Sequence, residues 1–424
     1  MSLISFGTCR ALGLAAGVSL LAVSASQAET VTVWCWDPNF NGATMEEAAT
    51  RFKASNPDFE LNVVLFDRDD LEQKLQAQFA AGVTDGLPDI VLIEDYSAQK
   101  FLLSYPDSFE PLGEHIDMSK FAQYKVDISS VDGTAYSLPF DSGVTGWFYR
   151  TDILAEAGYS PEDLEDITWD QFFEIGEAVL EKTGHPIIGT QVDSSSATRY
   201  MMQSAGSWYF TPEGDANLVG NPVFEASVEL YARFLQSPIS KRVNGWPEYT
   251  GTFLSGEVAS VISGVWMTAT VKSNPDFAGK WGVAPVPRFG DIEGSVNASN
   301  TGGSSWYVLS SAPEKESAIE FLDTVWGGDV DFYQKILVDR GAFGSLLEAR
   351  EGPAFQASDD FFGGQPVWLN FSQWMSEIPG VNYGIFTYEV QSAIQAQIPA
   401  LTKGDQPIEE VVKAIDTQVA QLIR

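Results

Sequence analysis

An alternation of strand and helix patterns near the N-terminus constrains the fold of this chain more than any other feature. Residues 31–36 and 61–66 are rich in β-branched and aromatic residues, and residues 90–93 are entirely apolar. Each segment therefore predicts a β-strand. Apolar residues at helical spacing lie between them, and they predict one helix that ends before Asn56 and another that begins with Asp69 as its N-cap. This β-α-β-α-β order is typical of a doubly wound parallel sheet.

The same alternation continues along the chain. Thr168 and Gln171 have the spacing of a capping box at the start of a helix. This helix is predicted over 168–182, and Asn221 is predicted to cap the next helix, over 222–236. Further helices are predicted over 313–326 and, in two or three pieces, within 383–424. The 424 residues suffice for two or three domains, and we find no internal repeat or long low-complexity linker. The chain is therefore predicted to be an α/β protein whose two lobes are joined by ordered crossovers.

Residues 1–28 have the composition of a secretory signal peptide. They contain Arg10 but no acidic residue, an apolar run over 11–23, and a small-residue pattern that ends at Ala28. We predict cleavage after Ala28 and a periplasmic protein. Cys35 would then be the one remaining cysteine, so no disulfide is expected within the chain.

Charge and motifs exclude several functions. The chain has 24 Lys+Arg and 58 Asp+Glu, a net charge of −34, which disfavours nucleic acid and anionic membranes as partners. It contains two histidines, His115 and His185, and neither a nucleophile elbow, a phosphate-binding loop, a dinucleotide fingerprint nor paired cysteines. We therefore predict no catalytic residue, no metal and no cofactor. A glycosidase-type carboxylate pair stays open, because it needs only two acids at a suitable distance.

Aromatic and acidic side chains follow the predicted strands. Trp34 and Trp36 share one face of the first strand, and Glu94, Asp95 and Tyr96 follow the third. Ligands of open α/β sheets bind beyond the carboxyl ends of the strands. Aromatic rings pack on the apolar faces of sugars, and carboxylates accept hydrogen bonds from hydroxyl groups, so this arrangement suits a sugar.

Collinear motifs along the mature chain resemble one family, the extracellular solute-binding proteins of bacterial carbohydrate ABC importers, in the branch that includes maltose-binding protein (family 1). The motifs that carry this resemblance are W-x-W-D at 34–37, G-L-P-D-I at 86–90, the crossover 132–139 followed by 147–150, and the segments 253–257, 263–266, 281–287 and 302–306.

The resemblance implies a periplasmic binding protein fold of type II, with a ligand cleft between the lobes and crossovers at the hinge. It implies lobe one over 29–139 and 295–340, and lobe two over 143–286 and 345–424 with a helix-rich C-terminus. The implied function is to bind a neutral mono- or oligosaccharide by lobe closure and to deliver it transiently to the permease subunits of an inner-membrane ABC importer. The implied state is a monomer without enzymatic activity.

The same resemblance implies the ligand contacts. Trp266 corresponds to a stacking tryptophan of the family, and Asp141 to an acid that binds sugar hydroxyls. The ligand-binding candidates are Trp36, Asn39, Asp95, Tyr96, Asp141, Arg199, Trp208, Trp266, Gly303, Ser304 and Arg340. Tyr383 and Tyr388 are candidates for a further stacking face, whereas we expect Trp169, Trp246, Trp326, Trp368 and Trp374 to serve in packing.

Two other functions remain open at this stage. The excess of acids prompts a cationic ligand such as a polyamine, which would need acids and an aromatic box in the cleft. A secreted glycoside hydrolase with a carboxylate pair would instead turn over an oligosaccharide.

Overall fold

The computed structural model describes Met1 and residues 29–422, so the predicted signal peptide beyond Met1 lies outside the described residues. The strands are β1 (Glu29–Cys35), β2 (Phe59–Leu65), β3 (Ile90–Glu94), β4 (Ser130–Val131), β5 (Thr134–Ala135), β6 (Leu138–Arg150), β7 (Ile188–Gln191), β8 (Ser240–Val243), β9 (Ser260–Gly264), β10 (Trp281–Pro285) and β11 (Asn300–Val308).

The α-helices connect these strands and form most of the C-terminal part. They are α1 (Asn41–Phe52), α2 (Arg68–Ala81), α3 (Asp95–Ser104), α4 (Gln123–Ile128), α5 (Thr151–Ala157), α6 (Trp169–Thr183), α7 (Ala197–Ser204), α8 (Pro222–Gln236), α9 (Gly245–Leu254), α10 (Met267–Val271), α11 (Lys315–Phe321), α12 (Val330–Arg340), α13 (Pro353–Gln356), α14 (Val367–Met375), α15 (Thr387–Ala396), α16 (Ile398–Lys403) and α17 (Ile408–Leu422).

The long strand β6 divides the main sheet into two lobes. Its N-terminal part pairs with β11. The resulting sheet has the strand order β2-β1-β3-β11-β6, and we call the part of the protein built on it lobe one. From Thr145 onward β6 pairs instead with β9 and β10, and β7 and β8 complete the sheet of lobe two. All 13 residues of β6 are buried, as expected for a strand that serves both lobes. The fold is therefore the predicted two-lobed α/β architecture.

Parallel pairing inside each lobe brings the carboxyl ends of its first strands to one edge. β1 is parallel to β2 and β3, and β7 is parallel to β8 and β9. The β11 crossover runs antiparallel to β3 and β6. The residues that follow β1, β3, β7 and β9 consequently surround the line along which the lobes meet.

Large aromatic side chains fill the core of each lobe. In lobe one, the Phe140 ring lies 5.4 Å from Trp306 and 5.0 Å from Trp326. In lobe two, Phe172 lies 4.9 Å from Trp147 and 5.7 Å from Trp169. Trp169 and Trp326 are therefore packing residues, as predicted.

Helix capping followed the sequence closely, with one correction. Thr168 and Gln171 form both bonds of the predicted capping box, and Asn221 accepts from two backbone N–H groups at the start of α8. The prediction that Asp69 caps α2 was wrong. Asp67 is the N-cap, because its carboxylate accepts from Asp69 N at 3.0 Å and thereby satisfies a free donor of the first turn.

None of the helices within the described residues combines the length and the apolar character needed to cross a membrane.

Candidate functional site

A cavity of about 290 Å³ lies in lobe two beside the β11 crossover. Larger grooves of about 560 and 630 Å³ occur elsewhere. The smaller cavity is the candidate ligand site, because β7 and β9 end at it and ligands of such sheets bind at the carboxyl ends of the strands. Its walls include Ile188, Gln191, Ser196, Arg199, Tyr200, Tyr231, Trp246, Tyr249, Ser263, Trp266 and Thr301.

Two tryptophans form part of the aromatic wall of this cavity. Trp266 follows β9, and its indole N–H donates to the Thr301 carbonyl at 2.9 Å, which fixes the ring against the crossover. The Trp246 ring lies 5.9 Å from Trp266 and is 46 % exposed at the cavity mouth. Gly264 permits the close approach, since a Cβ there would lie 2.3 Å from the Trp266 indole nitrogen. The result is a pair of tilted apolar faces beside a polar rim.

Trp246 is the residue that sequence reasoning missed. We expected it to serve in packing, yet it lines the cavity and is half-exposed. Trp246 follows directly after β8, in the segment Asn244-Gly245-Trp246. The rule that ligands bind beyond the carboxyl ends of strands, which singled out Trp36 after β1, would therefore have found Trp246 as well.

Arg199 supplies a cation to the cavity wall. Its guanidinium carbon lies 4.2 Å from the centre of the Tyr96 ring, in the geometry of a cation–π contact. Its Nε is buried without a hydrogen-bond partner, and no described side chain forms an ion pair with it. Because Nε has no contact with solvent, it is the two Nη groups, which form no hydrogen bond with a described residue, that are available to an acceptor in the cavity.

Tyr96 and Trp208 lie behind Arg199 rather than in the cavity. Their rings are stacked 5.8 Å apart with an interplanar angle of 10°. Both side chains are almost fully buried, and the Trp208 indole donates to Thr387 Oγ1 at 3.0 Å. The structure thus places these two candidates in the contact between the lobes, because Tyr96 follows β3 of lobe one and stacks on Trp208 of lobe two.

Asp95 does not face the cavity either. Its two carboxylate oxygens accept from Lys125 Nζ at 2.6 and 2.5 Å, and the exposed fractions of the two side chains are 1 % and 0 %. Lys125 also donates to the Ser304 carbonyl at 3.0 Å. Burial raises the pKa of Asp95 to about 7, although the adjacent ammonium acts against that shift. In this structure Asp95 belongs to a buried ion pair and is not placed to contact a ligand.

Asp141, Ser304 and Gly303 form a second buried group beside this pair. Asp141 accepts from the backbone N–H and the hydroxyl of Ser304 at 2.9 and 2.5 Å, and burial raises its pKa. Gly303 has a φ of 99°, and a Cβ there would lie 2.5 Å from Asp95 Oδ2. These three candidates therefore hold β3, β6 and β11 together, and their polar atoms are engaged within the protein.

Glu94, at the end of β3, lies on the lobe-one side of the cleft. Its carboxylate accepts from the Arg68 guanidinium of the same lobe and from the Tyr388 hydroxyl of α15. Arg68 also donates to that hydroxyl at 3.0 Å. Because α15 packs on α17, and α17 on α8 of lobe two, this cluster links the two lobes.

The remaining candidates divide between the cleft edge and a distant surface. Trp36, half-buried, and Asn39, exposed, follow β1 at the same edge of lobe one as Glu94. Arg340 ends α12 and lines a separate groove with Glu46 and Glu47 of α1. The prediction that Arg340 lies at the cleft is therefore not supported, because the last crossover follows it at 343–345, where Gly344 pairs with Asp141.

A two-lobed α/β fold with an aromatic cavity beside the crossover between the lobes is typical of proteins that bind a small molecule. The family of bacterial extracellular solute-binding proteins matches residues 47–363, and this chain belongs to it. A lactose-binding protein of Rhizobium radiobacter is 52% identical over 406 residues, which cover 96% of each chain. An arabinooligosaccharide-binding protein of Halalkalibacterium halodurans is 25% identical and covers 83% of this chain and 80% of its own.

Solved structures confirm the fold. The sugar-binding protein MalE of Xanthomonas citri has a TM-score of 0.79 at 20% identity, covering 93% of this chain and 97% of its own. The family and the relatives are binding proteins, so this chain is a binding protein and not an enzyme. The glycoside hydrolase alternative is thereby set aside.

Proposed function

We propose that this protein is the sugar-binding component of a bacterial ABC importer and that its ligand is a disaccharide of the lactose type. The observation that carries the proposal is the cavity of lobe two beside the β11 crossover, which combines the Trp246 and Trp266 faces with the Nη groups of Arg199. The relative that is 52% identical and named for lactose binding supports the sugar class.

The chemistry of the cavity fits such a ligand. Sugar rings have apolar C–H faces, which pack on indole rings, and hydroxyl edges, which need polar partners. Ser196, Ser263 and Thr301 line the same cavity and can exchange hydrogen bonds with those edges. A volume of about 290 Å³ lies at the small end of the usual range of ligand pockets, so it suits one or two rings rather than a long chain.

We also propose that the lobe bounds follow the resemblance, with lobe one over 29–139 and 295–340 and lobe two over 143–286 and 345–424. The change of β6 partners at Thr145 and the bridge between Asp141 and Gly344 support this division. Closure of the lobes around the sugar would stabilise one conformation, which the permease of the importer would recognise. We place the protein in the periplasm as a monomer that contacts the permease transiently.

Among the residues, we propose Trp266, Trp246 and Arg199 as contacts from lobe two, and Trp36 and Asn39 as contacts from lobe one. The two lobe-one residues follow β1 at the edge that faces the cleft, where closure would bring them over the cavity.

A ligand panel tests the proposal. The mature protein is titrated with lactose, galactose, maltose, a longer oligosaccharide and spermidine while its tryptophan fluorescence is recorded, and the bound compound is recovered by chromatography. We expect a saturable response to lactose and recovery of the intact disaccharide. A response to spermidine alone would replace the sugar by a cationic ligand, and recovery of hydrolysed sugar would refute a pure binding function.

A further inference from the structure

Tyr96 of lobe one is inserted between two side chains of lobe two. One side of its ring faces the guanidinium of Arg199 at 4.2 Å, and its ring is stacked on Trp208 at 5.8 Å. Tyr383 packs against both aromatic rings at 4.6 Å. The tyrosine therefore occupies a slot whose walls belong to the opposite lobe.

The hydroxyl of Tyr96 is anchored to the crossover strand. It donates to the Asn300 carbonyl at 3.2 Å and accepts from Gly302 N at 3.3 Å. The Asn300 side chain in turn donates to the Tyr383 hydroxyl at 3.1 Å. The Tyr96 ring, together with the Tyr383 ring that packs on it, is thereby fixed relative to β11. Any rotation of lobe two about the crossover must therefore change the contact between Tyr96 and Arg199.

Arg199 has two different surfaces. The guanidinium carbon lies over the Tyr96 ring, whereas the residue also lines the cavity and makes no hydrogen bond with a described side chain. The nearby carboxylate of Glu94 already accepts from Arg68 and Tyr388. A partly buried guanidinium without acceptors is unfavourable, so an acceptor from the ligand stabilises the arrangement in which the Arg199 guanidinium lies over Tyr96.

We infer that Arg199 couples recognition of the ligand to closure of the lobes. Its N–H edge binds two adjacent oxygen atoms of the ligand, and this bidentate contact fixes the guanidinium plane on which Tyr96 packs. A sugar that presents both oxygens closes the protein, and a sugar that lacks one binds to lobe two with weaker closure. The inference rests on the proposed function, and it makes Arg199 a specificity-determining residue.

Binding and closure must be measured separately to test this inference. Two exposed valines, Val219 on lobe two (52 % exposed) and Val338 on lobe one (72 % exposed), are each replaced by cysteine for spin labelling. The native Cys35 is fully buried and stays unlabelled. Distances between the labels report closure, and calorimetry with lactose reports affinity. The variants are Arg199→Met and Arg199→Lys in the full mature chain, with Arg288→Met, at a separate groove, as the control for loss of an arginine outside the candidate cavity.

We expect Arg199→Met to lower lactose affinity about 10- to 100-fold, the loss of hydrogen bonds to a charged group, and to abolish the change in label distance at saturating lactose. Arg199→Lys keeps the positive charge but not the planar guanidinium that can bind two oxygen atoms. It should therefore restore only part of the lactose affinity and part of the change in label distance. Single-deoxy lactose analogues at two adjacent positions should weaken binding to the wild type but not further weaken binding to Arg199→Met. The comparison of deoxy analogues requires only that Arg199→Met still binds lactose weakly.

Two failures are distinguishable. If the wild type binds lactose but Arg199→Met closes fully, or if no deoxy analogue discriminates between the two proteins, the inference is overturned while the proposed function stands. If the wild type binds no sugar of the panel, the proposed function and the inference fall together.

Discussion

The buried pair of Lys125 and Asp95 offers a sharp test of how the hinge region is held together. Both side chains are excluded from solvent, and the ammonium contacts both carboxylate oxygens and the Ser304 carbonyl. Removal of one member of a buried ion pair leaves an uncompensated charge and typically lowers stability by about 3–5 kcal/mol. Because whole domains are stable by only about 5–15 kcal/mol, Lys125→Met should lower the free energy of unfolding by a large fraction.

The assay is a double-mutant cycle in urea with Lys125→Met, Asp95→Asn and the combined variant. The combined variant carries neither charge, so we expect it to be at least about 2 kcal/mol more stable than the sum of the single losses predicts. Its lactose affinity should remain within about threefold of the wild type, because the pair does not line the cavity. Additive losses, or a lactose affinity that disappears with Asp95→Asn alone, would refute this reasoning.

Three further predictions concern the cavity wall, the crossover and an acid of α2. Trp266→Ala should weaken lactose binding by about 1.5–3 kcal/mol in calorimetry through lost apolar contact, whereas Trp374→Ala on α14 should leave affinity nearly unchanged; equal losses would contradict the assignment. Gly303→Ala should lower stability by about 1–3 kcal/mol in thermal unfolding, because its φ is 99° and the new methyl group would lie 2.5 Å from Asp95; an unchanged melting temperature would count against the account. Burial raises the pKa of Glu72 from 4.5 to about 7, so its contribution to stability is present below pH 4.5 and is lost as pH rises through 7. Glu72→Gln should therefore flatten the stability profile between these values by about 1–2 kcal/mol, and an unaltered profile would speak against the shift.

Local patterns carried the prediction of the fold. The capping box at Thr168 and the Asn221 cap depend only on residues within one turn of the helix, so their spacing sufficed. Asp67 was harder to recognise, because Asp67, Asp69 and Asp70 all precede or begin α2, and only the backbone geometry selects the acceptor. The lobe arrangement followed from the collinear family motifs rather than from any single element.

The site was predicted less completely because its chemistry depends on long-range partners. Asp95 reads as a free acid after a strand until Lys125, thirty positions later, is brought beside it. Trp208 reads as a possible stacking surface until Thr387 accepts from its indole. Trp266 lies in the cavity wall, and its role as a ligand contact stays a prediction.

Isothermal titration of the mature protein with lactose tests the central claim most directly. We predict one saturable site, a negative heat-capacity change from burial of the tryptophan faces, and recovery of intact lactose. No heat with lactose or related disaccharides, together with saturable binding of spermidine, would contradict the account.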